Sequence, residues 1–331
     1  MVSPRPTIMD VARTAGVSSA TVSRVINGAS SVDKELSRRV RAAVRSTGYV
    51  PNAMGRSLRR GGTSQIAVVA PDAENPYFTQ IIGEVERIAR RDHYSVTVAH
   101  TEDNLDIERD CFAQLVGRHV SGVLLVPVHS IHTDLSLLTE AGIPVVLVDR
   151  WIEGAGTDLV ATDNLDAGRQ AAQHLVERGF RAPAVLAGPA ELRTTEDRVR
   201  GYLSAWREAG VGVEDSAILR GDLHVESGTA MMRRILETGE ADCVYVTNNR
   251  MSAGAFEAMR GVADAPALLA TDDDLWTRLV TPSVSVVHQP VQATSRAAAR
   301  MLGLRIANPD EEPSTTLLRS RIIERESTLP L

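Results

Sequence analysis

The segment TIMDVARTAGVSSATVSRVING, at residues 7–28, contains two short helical patterns separated by a glycine. Thr7 with Asp10 three residues later is the pattern of a capping box, in which a hydroxyl and a carboxylate satisfy the free amides of a helix start. Apolar residues then recur at helical spacing over residues 8–15. Gly16 is expected to end this first helix, because glycine adopts the left-handed conformation of a tight turn without strain.

A second helix is predicted to begin after Ser18, whose hydroxyl can cap it. Its inner stripe is apolar, whereas its outer face carries small or polar side chains and one arginine, namely Ser19, Ala20, Ser23, Arg24 and Asn27. A third helix is expected from Asp33 to about residue 46. Three short helices with a glycine turn between the first two are typical of the helix-turn-helix bundle, whose second helix enters the major groove of DNA. A helical hairpin packed under the rest of the chain is the alternative.

The charge of the chain is divided unevenly along its length. Residues 1–60 hold eleven Arg or Lys and three acids, a net charge of +8, whereas the whole chain of 331 residues carries −6. The remainder is therefore at −14. A basic head on an acidic body is expected when only the head meets a polyanion, which favours DNA binding over an ordinary solvated face.

A short connecting segment follows the head at residues 51–64. Pro51 breaks the third helix, and Asn52 can cap a further helix of about two turns. Such a short helix is marginal in isolation, because nucleation is costly. Arg56 and its neighbouring arginines favour contact with phosphates, and the sequence GGTS then predicts a flexible linker. We therefore assign residues 1–50 to a helix-turn-helix domain and 51–64 to a hinge helix and linker.

The head resembles that of the lactose-repressor/galactose-repressor family of bacterial transcription regulators. The resemblance spans residues 7–60 and rests on TIMDVARTAGVSSATVSRVING, VDKELSRRVRAAVRSTGYVPN and GRSLRR. It implies that Ser19, Ala20 and Arg24 read bases, and that five residues contact phosphates or hold the helix in the groove: Thr7, Ser18, Thr21, Ser23 and Asn27. It also implies that Leu58 is a minor-groove wedge, one from each subunit of a dimer. An ordinary apolar contact with the body is the alternative for Leu58.

From residue 65 onward, short apolar runs alternate with amphipathic segments. The strand-like runs are QIAVVAP, SVTVAH, GVLLVPV, PVVLVD, AVLAG, CVYVT and ALLAT. The helical patterns cover about 77–92, 106–117, 134–142, 165–179, 196–210, 225–239 and 250–262. This alternation predicts doubly wound parallel sheets, and its length suits two lobes. The predicted fold class is a small all-α helix-turn-helix head plus an α/β body of two such lobes.

Polar and aromatic residues follow several predicted strands, where open α/β folds bind ligands. The candidates for an effector site are Asp72, Tyr77, Phe78, Asp149, Arg150, Asn248, Asp272 and Trp276, joined by Arg198 from a helical segment. Trp151 is a further candidate platform. For each residue the alternative is a strand-end cap or a surface ion pair, and for Trp276 it is core packing. Carboxylates and amides at four strand ends together favour a ligand site.

The body resembles the periplasmic-binding-protein-like effector domain of the same family over its whole length. The resemblance implies that Asp149, Arg198, Asn248 and Asp272 contact an effector and that Phe78 lies in an aromatic segment that touches it. It implies a dimerising domain over residues 65–331 with three lobe crossings. The N-lobe would hold about 65–162 and 290–318, and the C-lobe about 163–289 and 319–331. No heptad repeat ends the chain, which predicts a homodimer.

The effector is expected to be a sugar or a sugar phosphate, because carboxylates, amides and arginines bind hydroxyls and aromatic rings cover apolar sugar faces. A purine base or another small metabolite is the alternative. Cys111 and Cys243 lie in apolar runs and indicate core residues in a reducing compartment. No metal-ligand spacing, cofactor motif or nucleophile–base pattern indicates an enzyme.

No run of 18 apolar residues indicates a membrane span, and the N-terminus lacks the apolar core of a signal peptide. The sequence therefore predicts a cytoplasmic protein, and the alternative from another class is a sugar-binding transport protein that shares only the body. The expected function is a repressor that binds a palindromic operator as a dimer and responds allosterically to its effector.

Overall fold

The computed structural model describes residues 6–26, 33–47 and 64–329, which fall into two compact units divided between Thr63 and Ser64. The first unit contains α1 (Ile8–Ala15), α2 (Ser19–Ile26) and α3 (Lys34–Thr47). The strands of the second unit are β1 (Gln65–Ala70), β2 (Ser95–His100), β3 (Gly122–Leu125), β4 (Val145–Val148), β5 (Asp158–Thr162), β6 (Pro183–Ala187), β7 (Ile218–Arg220), β8 (Cys243–Val246), β9 (Ala267–Thr271), β10 (Ser285–His288), β11 (Thr315–Leu318) and β12 (Arg321–Ile323). Its helices are α4 (Pro76–Arg91), α5 (Leu105–Gly117), α6 (Ser136–Glu140), α7 (Asn164–Glu177), α8 (Arg193–Glu208), α9 (Val225–Thr238), α10 (Asn249–Met259), α11 (Leu275–Leu279) and α12 (Val291–Ala307).

The capping box at the start of α1 is confirmed. The Thr7 hydroxyl accepts from the Asp10 amide at 3.4 Å, and the Asp10 carboxylate accepts from the Thr7 amide at 2.9 Å. At the other end Gly16 has a φ of 63°, as the turn requires, and Arg39 of α3 donates to the Ala15 carbonyl at 2.7 Å. Both ends of α1 are therefore satisfied by side chains or by a left-handed turn.

The three helices of the head pack around one apolar cluster. Val11, Val22 and Val40 are fully buried, one from each helix. Asp33 caps α3 by accepting from two amides, and Ser18 caps α2 by accepting from the Thr21 amide at 3.2 Å. The predicted helix-turn-helix arrangement is therefore the observed one.

The second unit contains two six-stranded sheets. The first has the order β11-β5-β4-β3-β1-β2, and its neighbouring strands all run parallel. The second has the order β12-β10-β9-β8-β6-β7 and is parallel except for β12, which pairs antiparallel with β10. Helices cover both faces of each sheet, as the predicted doubly wound fold requires.

The chain passes between the two lobes three times. The first passage joins β5 to α7, and the second joins β10 to α12, which packs against α4 and the first sheet. The third joins β11 of the first sheet to β12 of the second. Parallel strands of both lobes therefore end near these passages. A cleft between the lobes at this place would change shape with the angle between them.

Several elements of the body were not indicated by the apolar patterns. These are β5, β7, β10, β11, β12, α11 and α12. The buried stripe of α12 includes Thr294, Ser295 and Ala298, so its inner face is too small and polar to stand out from its neighbours. No helix among the described residues is long and apolar enough to cross a membrane.

Glycines bring α7 and α8 into direct backbone contact. A Cβ atom on Gly168 would lie 2.0 Å from the Arg198 carbonyl oxygen, and one on Gly201 would lie 2.0 Å from the Leu165 carbonyl oxygen. No larger residue fits at either position without moving the helices apart. Because the Arg198 backbone takes part in this contact, the close packing of α7 and α8 helps to position Arg198 at the cleft.

Candidate functional site

A cleft of about 520 Å³ lies between the two lobes, at the carboxyl ends of β1, β4, β8 and β9. Eight of the nine predicted effector residues line it, namely Asp72, Tyr77, Phe78, Asp149, Arg150, Arg198, Asn248 and Asp272. Residues of both lobes therefore face one cavity, whose size is that of an ordinary small-molecule site.

Asp149 and Asp272 occupy equivalent places in the two lobes. Each follows directly after a strand, each is 7% exposed, and each has a left-handed backbone, with φ of 66° and 67°. Residues other than glycine rarely adopt this conformation, and such strain is found where the surroundings hold a functional group in place. Neither carboxylate forms an ion pair with any residue of the described part of the body.

Tyr77 supports Asp149 from the start of α4. Its hydroxyl donates to the Asp149 carboxylate at 3.1 Å, and its own amide is capped by the side chain of Asn75. Burial, and then the nearby carboxylates Asp149 and Asp272, raise the pKa of Tyr77 well above its usual range. The hydroxyl therefore stays protonated and acts as a permanent donor. Phe78 packs edge-on against the Tyr77 ring, with centroids 5.3 Å apart.

Asp272 is held by Gln289, which sequence reasoning did not single out. The Gln289 amide donates to both carboxylate oxygens of Asp272, at 3.0 and 3.3 Å, and accepts from Arg198 at 2.9 Å. Burial raises the pKa of Asp272 to about 7, although Arg198 and the Gln289 hydrogen bond oppose this shift. Gln289 comes directly after β10, so a polar residue at a strand end was the signal that could have found it.

Arg198 is buried and uses all three of its guanidinium nitrogens. Besides Gln289 it donates to the Asn164 side chain at 2.7 Å and to the Thr247 carbonyl at 2.6 Å. All three acceptors are neutral, so its charge is not cancelled by a directly bonded carboxylate. Arg198 therefore joins α7, β8 and the second lobe passage, and its charge acts on Asp272 through space.

The other arginines of the cleft are paired with carboxylates. Arg150 contacts Asp103 at 2.7 Å within the first lobe. Arg250 of the second lobe contacts Asp72 at 2.7 Å and Glu74 at 3.2 Å, both in the first lobe. Asp72, predicted to bind an effector, is therefore engaged in a bridge between the lobes.

Further polar groups line the cleft. Asn249 beside Arg250 donates to Asn75 at 2.9 Å, which adds a second bridge between the lobes. Asn248, a predicted effector residue, caps α10 by accepting from the Met251 amide at 3.0 Å. The Thr247 hydroxyl is buried and has no hydrogen-bond partner among the residues that the structure describes. The cleft therefore contains polar groups that can still accept or donate hydrogen bonds, beside arginines that are already bonded within the protein.

The structure corrects the prediction for Trp276. Its ring packs against Phe256 with centroids 5.5 Å apart, within an apolar cluster of the second lobe, and it does not line the cleft. Asp272 points into the cleft, but the chain turns away before reaching Trp276. Trp151, the other candidate platform, lies at a second cavity beside the cleft.

The outer face of α2 carries the predicted base-reading residues. Ser19, Ala20 and Arg24 are all exposed, and Thr21 is partly exposed. The hydroxyls of Thr7 and Ser18 are already engaged in the helix caps. The predicted contacts Asn27, Asn52, Arg56 and Leu58, and the side chain of Ser23, lie outside the described residues.

Two protein-family models match the chain, one for each of its parts. Residues 7–52 match the bacterial regulatory proteins of the lacI family, and residues 63–309 match the periplasmic binding proteins and sugar binding domain of the LacI family. The second match alone covers more than half of the chain. The chain therefore belongs to the LacI family of bacterial transcription regulators.

Individual relatives agree with this assignment. The HTH-type transcriptional repressor PurR of Escherichia coli O1:K1 / APEC is 33% identical over 329 residues, which cover 97% of this chain and 96% of that protein. A solved complex of the transcriptional regulator CelR with cellobiose is 30% identical, with a TM-score of 0.74 over 98% of this chain and 100% of that one. The lac repressor dimer bound to operator and the anti-inducer ONPF shares the fold, with a TM-score of 0.86 over 98% of this chain and 100% of that one at 23% identity.

The family assignment settles the broad function. The protein is a DNA-binding repressor that binds operator DNA and is controlled by a small effector, and it is not an enzyme. As a bacterial regulator of transcription it acts in the cytoplasm, where the chromosome lies.

Proposed function

We propose that the effector is a neutral, hydroxyl-rich molecule, a mono- or oligosaccharide, bound in the cleft between Asp149 and Asp272. The observation that carries this proposal is the two buried carboxylates, one in each lobe, that have no ion-pair partner in the described part of the chain. Sugar hydroxyls donate to carboxylates without bringing a charge of their own, so each carboxylate gains hydrogen bonds in place of water. A ligand that bridges the two carboxylates favours closure of the lobes.

The charges of the cleft favour a neutral sugar over a sugar phosphate. A phosphate needs free cationic donors, but Arg150 and Arg250 are paired with carboxylates. Arg198 has no bonded carboxylate, but three of its five N–H groups already donate to neutral groups of the protein. It would also approach Asp149 and Asp272, whose like charge repels it. The cellobiose bound by the 30% identical CelR is consistent with a neutral sugar.

A purine base is the second candidate. Tyr77 and Phe78 line the cleft, but they are only 4% and 5% exposed and belong to the core of the first lobe, so they offer little ring surface to a flat ligand. A base would also need donors and acceptors along its edge, and three of the five N–H groups of Arg198 already donate within the protein. The sugar therefore fits the unoccupied groups better than the base does.

We further propose that the head reads DNA through α2 as part of a homodimer. The exposed Ser19, Ala20 and Arg24 suit close approach to bases, and arginine can bind guanine with two hydrogen bonds. Two copies related by a two-fold axis would present two such helices to a palindromic operator. Leu275 and Leu279 of α11 are 64% and 73% exposed and provide apolar surface for a partner subunit.

The proposed control is a shift in population. The effector changes the angle between the lobes, which alters the spacing of the two heads and so the affinity for operator. A coupling of about 1–3 kcal/mol is usual for such systems and corresponds to roughly 5- to 150-fold in affinity. Whether the effector releases the repressor or strengthens its binding is decided by which lobe angle suits the operator.

A thermal-shift screen of the full-length protein tests the effector class. Neutral sugars, their phosphates and the bases adenine, guanine and hypoxanthine are each added, and hits are followed by titration calorimetry and by operator gel shift. We expect stabilisation by a neutral sugar that also changes operator affinity. Stabilisation by a base or a phosphorylated sugar alone would refute the neutral-sugar proposal.

A further inference from the structure

A second chamber of about 300 Å³ adjoins the cleft. Asp149, Arg150 and Thr194 line both cavities, so the two cavities meet at these three residues. The second chamber is lined from the first lobe by residues such as Trp151 and Thr162, and from the second lobe by residues such as Arg193. A ligand that enters it would touch both lobes, as a ligand of the main cleft does.

Trp151 provides an aromatic platform in this chamber. The indole packs partly against the apolar cluster of the first lobe, and the Arg193 guanidinium lies 4.4 Å from its ring centroid. Asp197, at 3.1 Å, offers Arg193 a second partner on its own helix. The guanidinium can therefore leave the indole without becoming unpaired. The guanidinium covers this ring face, so a flat or slightly curved ligand reaches the face by displacing it.

Thr162 supplies an unused polar group in the same chamber. Its side chain is 2% exposed, lines the chamber, and has a hydroxyl without any hydrogen-bond partner among the described residues. Buried hydroxyls are almost always satisfied, so an unsatisfied one at a cavity wall points to a ligand or a bound water. The group lies at the end of β5, at the first passage between the lobes.

The charges of the second chamber favour a neutral occupant. Arg193 and Arg200 both pair with Asp197, at 3.1 Å each, and Arg150 pairs with Asp103. No arginine of this chamber is left without a carboxylate, and carboxylates outnumber arginines along its wall. An anionic group would therefore meet repulsion, whereas hydroxyls find acceptors.

We propose that the second chamber is a subsite for the second ring of a neutral disaccharide, whose first ring lies in the main cleft between Asp149 and Asp272. The second ring covers the Trp151 face and displaces the Arg193 guanidinium, and one of its hydroxyls hydrogen-bonds to Thr162. This inference rests on the proposed function, since it assigns the size and linkage of the same effector. The repressor therefore recognises a two-ring sugar and discriminates against its single-ring component.

Titration calorimetry on the full-length protein tests the subsite. The probes are cellobiose, maltose, lactose and trehalose, each compared with its component monosaccharides. We expect at least one disaccharide to bind about 10-fold or more tightly than its monosaccharides. Trp151→Ala should then weaken the affinity for the disaccharide by about 5- to 10-fold and leave the affinity for monosaccharides unchanged. Trp276→Phe, which alters a tryptophan outside both cavities, is the matched control and should change neither affinity.

Two results would overturn the subsite. One is that no disaccharide of the panel binds better than its monosaccharides, and the other is that Trp151→Ala weakens both classes equally. Either result with retained monosaccharide binding leaves the proposed function intact. The proposed function itself would be refuted if the protein bound a purine base and no sugar. Circular dichroism of the Trp151→Ala protein separates a folding defect from a loss of the subsite.

Discussion

Asp149 and Asp272 face the same cleft from opposite lobes, each in a left-handed backbone conformation directly after a strand. Their environments differ. Asp149 accepts a hydrogen bond from the Tyr77 hydroxyl, whereas Asp272 accepts from the Gln289 amide, and burial raises the pKa of Asp272 to about 7. One lobe therefore presents a carboxylate fixed by a phenol, and the other presents one whose charge changes near neutral pH.

The raised pKa of Asp272 predicts a pH effect on stability. The folded protein holds a proton on this carboxyl up to about pH 7, whereas the unfolded chain releases it near 3.8. Stability from this group is therefore full at low pH and declines as pH rises from 3.8 towards 7. Asp272→Asn removes the burial cost and should raise the free energy of unfolding by roughly 2–4 kcal/mol at about pH 8, with little gain at about pH 4. Urea unfolding at both pH values measures this, and an equal gain at both would contradict the assignment.

The same carboxyl predicts a pH effect on effector binding. Sugar hydroxyls donate more strongly to an ionised carboxylate than to a protonated one. Affinity for a neutral sugar should therefore rise as pH increases through about 7, the pKa of Asp272. Asp272→Asn should weaken binding and abolish this pH dependence, while operator affinity without effector is retained. Calorimetry from about pH 6 to about pH 8 tests it. A pH profile that persists in the variant would show that another group is responsible.

The ion pairs of Arg250 bridge the two lobes, and we expect this bridge to support effector binding. Its contacts with Asp72 and Glu74 hold the lobes together on one side of the cleft. Arg250→Gln should favour the open arrangement and weaken effector binding by about 3- to 10-fold, because closure then gains less free energy. Small-angle scattering should show a larger radius of gyration without effector. The control is Arg87→Gln, which breaks an ion pair within α4 alone; equal effects of both changes would exclude the bridge.

Adding a side chain at the contact between α7 and α8 is expected to cause a packing defect. Gly201→Ala places a Cβ atom 2.0 Å from the Leu165 carbonyl oxygen and should destabilise the protein by about 3 kcal/mol. Because Arg198 lies on α8 one turn earlier, effector affinity should also fall. Gly303→Ala in α12 is the matched control, since a Cβ atom there meets nothing within 4 Å. Thermal unfolding that is unchanged in the Gly201 variant would show that the helices can separate freely.

Replacing Arg24 is expected to cause a specific loss of DNA recognition. Arg24→Ala should cost about 1–3 kcal/mol in operator affinity and relax specificity at one base pair in each half-site. Binding to a library of operator variants measures this. The control is Arg13→Ala, an exposed arginine of α1 outside the outer face of α2. A uniform loss across all sequences would identify Arg24 as a phosphate contact instead.

The local sequence by itself determined the head and the architecture of the body. Thr7, Asp10 and Gly16 act on amides and turns within a few residues of themselves, so their pattern could be read without the tertiary structure. The alternation of apolar runs with amphipathic segments likewise defined the doubly wound lobes. Asp149 and Asp272 were found because their place directly after a strand is a local property.

Only the tertiary structure decided which side chains meet. Trp276 and Trp151 each follow a strand-end carboxylate within a few residues, but one packs into a core and the other lines a cavity. Gln289 and Arg198 lie far apart in the chain and become partners because α8 and the second lobe passage converge on the cleft. Hydrogen bonds and cavities of this kind depend on distances between elements, and these distances are set by packing such as the glycine contact of α7 with α8 rather than by any repeat in the sequence.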